Sequence, residues 1–178
     1  MVILINGATH SGKTVLTQRL IERFHYPAMS VDHLKMGLIR SGQTELTPSD
    51  DRELVGYLWP IVREMIKTAI ENDQNLILEG LYFPPDWRAD FSEEYLPHIR
   101  YICLIMTEDY IRSHYSDIVA HRSDVEHRGE DDEPPMDMLI RDHVRHLGEC
   151  REYDNPYILI DRDYTECVTD AAVDALLD

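Results

Sequence analysis

Eight residues near the amino end carry the most specific chemistry in the sequence. Gly7-Ala8-Thr9-His10-Ser11-Gly12-Lys13-Thr14 has the spacing G-x-x-x-x-G-K-[ST]. Two glycines permit a loop whose backbone N–H groups turn inward, and a helix starting behind it adds its own N-terminal amides. Such a segment cradles a polyphosphate. Lys13 would reach the β- and γ-phosphates, and Thr14 would offer its hydroxyl to Mg²⁺. No N-K-x-D guanine signature is present, so the expected nucleotide is ATP. Two acids extend the set: Asp32 after Met-Ser-Val and Glu79 after Leu-Ile-Leu. Phosphoryl transfer needs one carboxylate to take or orient the acceptor's hydroxyl proton and another to hold Mg²⁺ or its water. Asp32 is read in the first role, with a helix N-cap as its alternative, and Glu79 in the second. Asp161, after Tyr-Ile-Leu-Ile, is read as structural.

These residues need a scaffold that brings them to one edge. Short apolar runs, read as strands, occur at Val2 to Ile5, Ala28 to Val31, Asn75 to Leu78, Tyr101 to Met106 and Tyr157 to Ile160. Helical patterns alternate with them. One runs from Lys13 to Phe24 with Val15, Leu16, Leu20 and Phe24 on one face. A long one opens at Thr47-Pro48, with Thr47 as N-cap, and Pro60 should kink or split it. Thr107 should cap a further helix. Others are expected over about Met136 to Glu152 and over Cys167 to Leu177. The alternation predicts an α/β domain with a parallel sheet covered on both faces, and ligands in such sheets lie outside the carboxyl ends of the strands. The charge-rich stretch at 123 to 135 reads as an insertion projecting from a single domain of residues 1–178.

The segments GATHSGKT, SVDHLK and LEGLYFPP, with the arginines near 120 to 141, resemble the nucleoside-monophosphate-kinase-like group of P-loop kinases. SVDHLKMGLIRSG together with EGLYFPPDW also resembles bacterial 2-phosphoglycerate-kinase-like proteins. Chloramphenicol phosphotransferase is similar in placing an acid after the second strand, where Asp32 stands. The resemblance implies a three-layer P-loop NTPase fold, a five-stranded parallel sheet in the order 2-3-1-4-5, and a lid near 120–136. It further implies an ATP- and Mg²⁺-dependent small-molecule kinase with lid arginines, Arg122, Arg128 and Arg141, on the transferring phosphoryl group. Guanidinium groups suit that task because they match phosphate oxygens bidentately. The first acceptor implied is a phosphorylated hydroxy acid such as 2-phosphoglycerate. A nucleoside monophosphate comes second and an antibiotic-like alcohol third. Pro85 stands where adenylate kinases carry an arginine, and Arg88 comes three residues later, so the nucleoside-monophosphate contacts do not carry over. A nucleotide-hydrolysing switch without an acceptor, and a toxin-like kinase acting on cell-wall sugars, are the rival readings.

The remaining candidates are less specific. Lys35 and Arg40 follow Asp32 and could receive an acidic substrate, but a spacing of five lets at most one point inward. Tyr82, Phe83 and Trp87 could wall an acceptor pocket or pack the core. His143 and His146 could pair on a metal but lack a third ligand, and read as surface residues. Cys103, Cys150 and Cys167 show no paired spacing and fit reduced thiols of a cytoplasmic protein. The net charge of −17 disfavours nucleic acid and membrane surfaces as partners. No run of apolar residues is long enough to span a bilayer.

Overall fold

The computed structural model describes residues 1–120 and 134–177. Five strands, β1 (Val2–Gly7), β2 (Ala28–Ser30), β3 (Leu76–Glu79), β4 (Ile99–Met106) and β5 (Tyr157–Ile160), form one sheet in the order β2-β3-β1-β4-β5. All four pairings are parallel. The helices are α1 (Lys13–Phe24), α2 (Val31–Arg40), α3 (Asp51–Glu71), α4 (Glu108–Ala120), α5 (Met136–Glu152), α6 (Tyr164–Cys167) and α7 (Asp170–Leu177).

Burial on both sheet faces explains why the strands read as continuous apolar runs. Because side chains alternate along a strand, Val2 and Leu4 of β1 enter one core while Ile3 and Ile5 enter the other. The first core adds Leu54, Leu58, Val62 and Ile66 of α3 and an aromatic group, Trp59, Phe83, Trp87, Phe91 and Tyr101. The second is aliphatic, built with Leu16 and Leu20 of α1, Ile111 and Ile118 of α4, and Val173 and Leu177 of α7. Val15 does not join Leu16 and Leu20; it is 40% exposed on the outer face of α1.

Three expectations about helices are corrected. The long helix starts at Asp51 rather than at Thr47-Pro48. The Thr47 amide and hydroxyl both donate to the Asp50 carboxylate, at 2.6 and 2.8 Å, which holds 47–50 in a turn. Pro60 does not split this helix, which runs unbroken to Glu71. Proline leaves the carbonyl four residues earlier without its donor. Here that residue is Gly56, on the same exposed side as Pro60, where the carbonyl can be hydrated. The last helical stretch is two helices, α6 and α7. Thr107 does cap α4, its Oγ1 accepting from the Tyr110 amide at 3.2 Å. No helix among the described residues is long and apolar enough to cross a membrane.

Candidate active site

The carboxyl ends of β1, β3 and β2 are adjacent. Ile5 is level with Glu79, and Glu79 is level with Ser30. The residues singled out from the sequence therefore converge on one edge of the sheet.

The loop from Gly7 to Thr14 bends through backbone conformations that an ordinary side chain resists. Gly7 has φ 144° and Gly12 has φ 85°, and both are also hemmed in. A Cβ on Gly7 would lie 2.7 Å from the Leu104 carbonyl oxygen, and one on Gly12 2.4 Å from the Tyr164 ring. Lys13 opens α1 and is buried, and its ammonium donates to the Ala8 carbonyl at 2.8 Å across the loop. The Ser11 amide donates to the same carbonyl at 3.4 Å. Beneath the loop, Ser11 Oγ and Asn6 Oδ1 are buried polar atoms with no hydrogen-bond partner. The Tyr164 hydroxyl of α6 donates to the Gly12 carbonyl at 2.9 Å and braces the loop from outside. Thr9 and His10 are joined at 3.0 Å, with His10 at a left-handed φ of 62°.

Glu79 ends β3, only 4% exposed, next to the strand that feeds the loop. Thr14 is half-buried one residue inside α1. Carboxylate and hydroxyl oxygens are the hard donors that Mg²⁺ takes, usually alongside phosphates and waters. The donor set thus fits the expected ion.

Asp32 lies in the first turn of α2 but does not cap it. Ser30 does, accepting from the Asp32 amide at 3.3 Å, and this frees the Asp32 carboxylate. That carboxylate pairs with Lys35 at 2.5 Å, one turn on. Lys35 Nζ also donates to the Tyr82 hydroxyl at 2.6 Å and sits 5.0 Å from its ring centre. The Tyr82 hydroxyl in turn faces Asp51 Oδ1 at 3.2 Å and Asp32 Oδ1 at 3.5 Å. Burial, then the two carboxylates, push this phenol far above its ordinary titration range, so it stays a donor. Arg40 is exposed at the far end of α2, so of the two basic residues only Lys35 turns inward.

Phe83 and Trp87 leave this cluster for the aromatic core, where Trp87 stacks on Tyr101 at 5.7 Å. Arg88 is engaged by Asn155, whose Oδ1 accepts from Arg88 at 2.6 Å and from Trp87 Nε1 at 3.0 Å. The Asn155 Nδ2 donates to the Pro85 carbonyl at 2.7 Å, so one amide side chain pins the whole turn after β3. Asp161 is exposed.

The surface reading of His143 and His146 is overturned: they are 1% and 4% exposed. On α5 they continue the stripe of Leu139, Ile140 and Cys150 toward β4. His143 Nδ1 accepts the Met106 amide at 3.0 Å, which leaves its proton on Nε2. Burial first, then the charges of Lys13 and His10, drives its pKa down to about 3. His146 falls to about 3 as well, chiefly through burial and then Arg145. Cys103 and Cys150 are buried in the first core, and their mutual hydrogen bond followed by burial raises the Cys103 thiol.

Arg122 and Arg128 lie outside the described residues, as does most of the lid expected near 120–136. Arg141 is described and is exposed on α5. Asp51 and Tyr164 are participants the sequence did not single out, and His143 was singled out only as a surface residue.

No family model matches the chain, and no curated protein matches it. Solved structures do. A gluconokinase from Sinorhizobium meliloti superposes with a TM-score of 0.58 at 17% identity, covering 99% of this chain and 91% of its own. A protein of Chloroflexus aurantiacus, to which a kinase activity is ascribed, gives 0.55 at 20% identity over 99% and 95%. Shikimate kinase from Bacteroides thetaiotaomicron gives 0.52 at 14% identity over 99% and 96%. At such identities the likeness establishes the fold. The chain has the P-loop NTPase fold found in these small-molecule kinases.

Proposed function

We propose that this chain is an ATP-dependent phosphotransferase that moves the γ-phosphoryl group onto a hydroxyl of a small molecule, working in the cytoplasm. One observation carries the reading: a strained, lysine-bearing phosphate loop and a carboxylate cluster on Asp32 share one sheet edge, with the buried Glu79 between them.

The loop from Gly7 to Thr14 holds the triphosphate, its amides and the N-terminus of α1 facing the anion. Lys13 exchanges the Ala8 carbonyl for a phosphate oxygen and balances the charge that spreads over the γ-phosphoryl group. Thr14 and Glu79 would hold Mg²⁺, which supplies neutralisation of the phosphate charge when bound. The Asp32 carboxylate takes the acceptor's hydroxyl proton. The freed oxygen forms its bond to the γ-phosphorus as the bond to the β–γ bridging oxygen breaks, and ADP leaves with that electron pair. Lys35 fixes the rotamer of Asp32 through their 2.5 Å pair. Arg141, and Arg122 and Arg128 from the segment outside the described residues, are assigned to the phosphoryl oxygens on the resemblance alone.

The test is ADP formation from ATP and Mg²⁺ with and without small hydroxyl compounds. Acceptor-dependent ADP formation is expected. Turnover indifferent to every acceptor would instead make the chain a nucleotide-hydrolysing switch.

A further inference from the structure

The cluster around Tyr82 bears on the charge of the acceptor, an inference that rests on the phosphotransferase reading. The hydroxyl of Tyr82, a fully buried residue, is its hub, with Lys35 donating to it and Asp51 and Asp32 around it. Counting hydrogen-bonding capacity shows an imbalance. An ammonium brings three donors and a phenol one, whereas each carboxylate offers about four lone-pair sites. Two carboxylates therefore hold about twice as many acceptor positions as Lys35 and Tyr82 can fill. The charge is also unbalanced, with two anions against one cation. Other cations on the surrounding elements do not correct this among the described residues. Arg40 is exposed eight residues beyond Asp32, about 12 Å along α2. Asp51 and Arg52 are both exposed at the start of α3, but only Asp51 reaches the Tyr82 hydroxyl; Arg88 is bonded to Asn155, and Lys13 to the Ala8 carbonyl of the phosphate loop.

A phosphate or carboxylate on the acceptor would bring more lone pairs and more negative charge to a place that already has an excess of both. Hydroxyl groups bring donors. We propose that the acceptor is an uncharged polyol, whose hydroxyls donate to Asp32 and Asp51, and that Asp51 is a specificity-determining residue that rejects phosphorylated and carboxylated acceptors. This reading displaces a phosphorylated hydroxy acid as the first candidate substrate.

The experiment compares matched acceptors that differ only in charge: sugars and sugar alcohols, the acids made by oxidising one end, and their phosphate esters. Each is offered with ATP and Mg²⁺ at constant ionic strength, and kcat/KM is read from ADP formation. The expected result is at least one uncharged polyol preferred about tenfold or more over its anionic counterparts. Asp51→Asn should narrow that preference about tenfold while leaving the KM for ATP unchanged, and Asp51→Glu should restore it. A preference for the anionic member of the pairs, or a ratio that Asp51→Asn does not move, overturns the inference and leaves the phosphotransferase standing. ADP formation indifferent to all acceptors, or none from a protein that binds ATP, removes the phosphotransferase reading and the inference with it.

Discussion

The two halves of the site are built by different means. The half proposed to hold the nucleotide is one continuous segment that would act through its backbone, shaped by glycines at positive φ and by Lys13 folded onto the Ala8 carbonyl. The acceptor half is assembled from side chains of three elements: Asp32 and Lys35 from α2, Tyr82 from the turn after β3, and Asp51 from the start of α3. A backbone cradle tolerates little change in its glycines and recognises any polyphosphate. A side-chain cluster can be retuned by single substitutions, and so on the proposed reading specificity for the acceptor would reside there. If this division is right, substitutions on one side should leave the kinetic constants of the other unmoved.

The largest separation should come from Asp32→Asn. It removes the proposed proton acceptor, and kcat should fall by roughly 10²–10⁴-fold with ATP affinity unchanged in a nucleotide-binding titration. An accompanying loss of ATP affinity would mean that the halves are one unit. Lys13→Ala should lower kcat/KM for ATP by about 10²–10³-fold, and fluorescence titration with a nucleotide analogue should show weakened binding. Tyr164→Phe takes away only the brace on the Gly12 carbonyl. A neutral hydrogen bond contributes about 1 kcal/mol, so the expected cost is about fivefold in ATP affinity with acceptor KM constant. A separate effect concerns stability behind the loop. Folded His143 titrates at about 3 against an ordinary 6.5, so between those values the unfolded chain binds the extra proton. Stability from this residue is complete above about pH 6.5 and is lost as pH falls toward 3. Replacement by Asn, whose carbonyl can still accept the Met106 amide, should reduce the slope of unfolding free energy against pH by about 1 kcal/mol per unit between pH 4 and 6. An unchanged slope in urea titrations would place the acid sensitivity elsewhere.

The same division explains what could be read from the sequence. The phosphate loop was legible because all its determinants lie within eight residues, and the sheet because its strands are apolar on both faces. The places of Asp32 and Glu79 at the carboxyl edge of the sheet were legible because each directly follows an apolar run; their roles are proposals. Asp51 was not, since nothing local distinguishes it from an acid in the first turn of a helix; only the fold brings it to Tyr82. His143 and His146 were misjudged by residue type. Their spacing with Leu139, Ile140 and Cys150 carried the signal, because a position in a buried helical stripe outweighs the usual exposure of histidine. Pro60 was misjudged for the complementary reason: its cost depends on whether the carbonyl it orphans faces water.

The amide of Asn155 gathers Trp87, Arg88 and Pro85, and the next residue is Pro156. Asparagine ages by attack of the following backbone nitrogen on its own side chain, and a proline nitrogen carries no hydrogen with which to complete that ring closure. The fastening that keeps the segment after β3 against the approach to β5 is therefore shielded by its neighbour from the commonest route of asparagine decay, and its bonds to Trp87, Arg88 and Pro85 should persist through long storage at neutral pH.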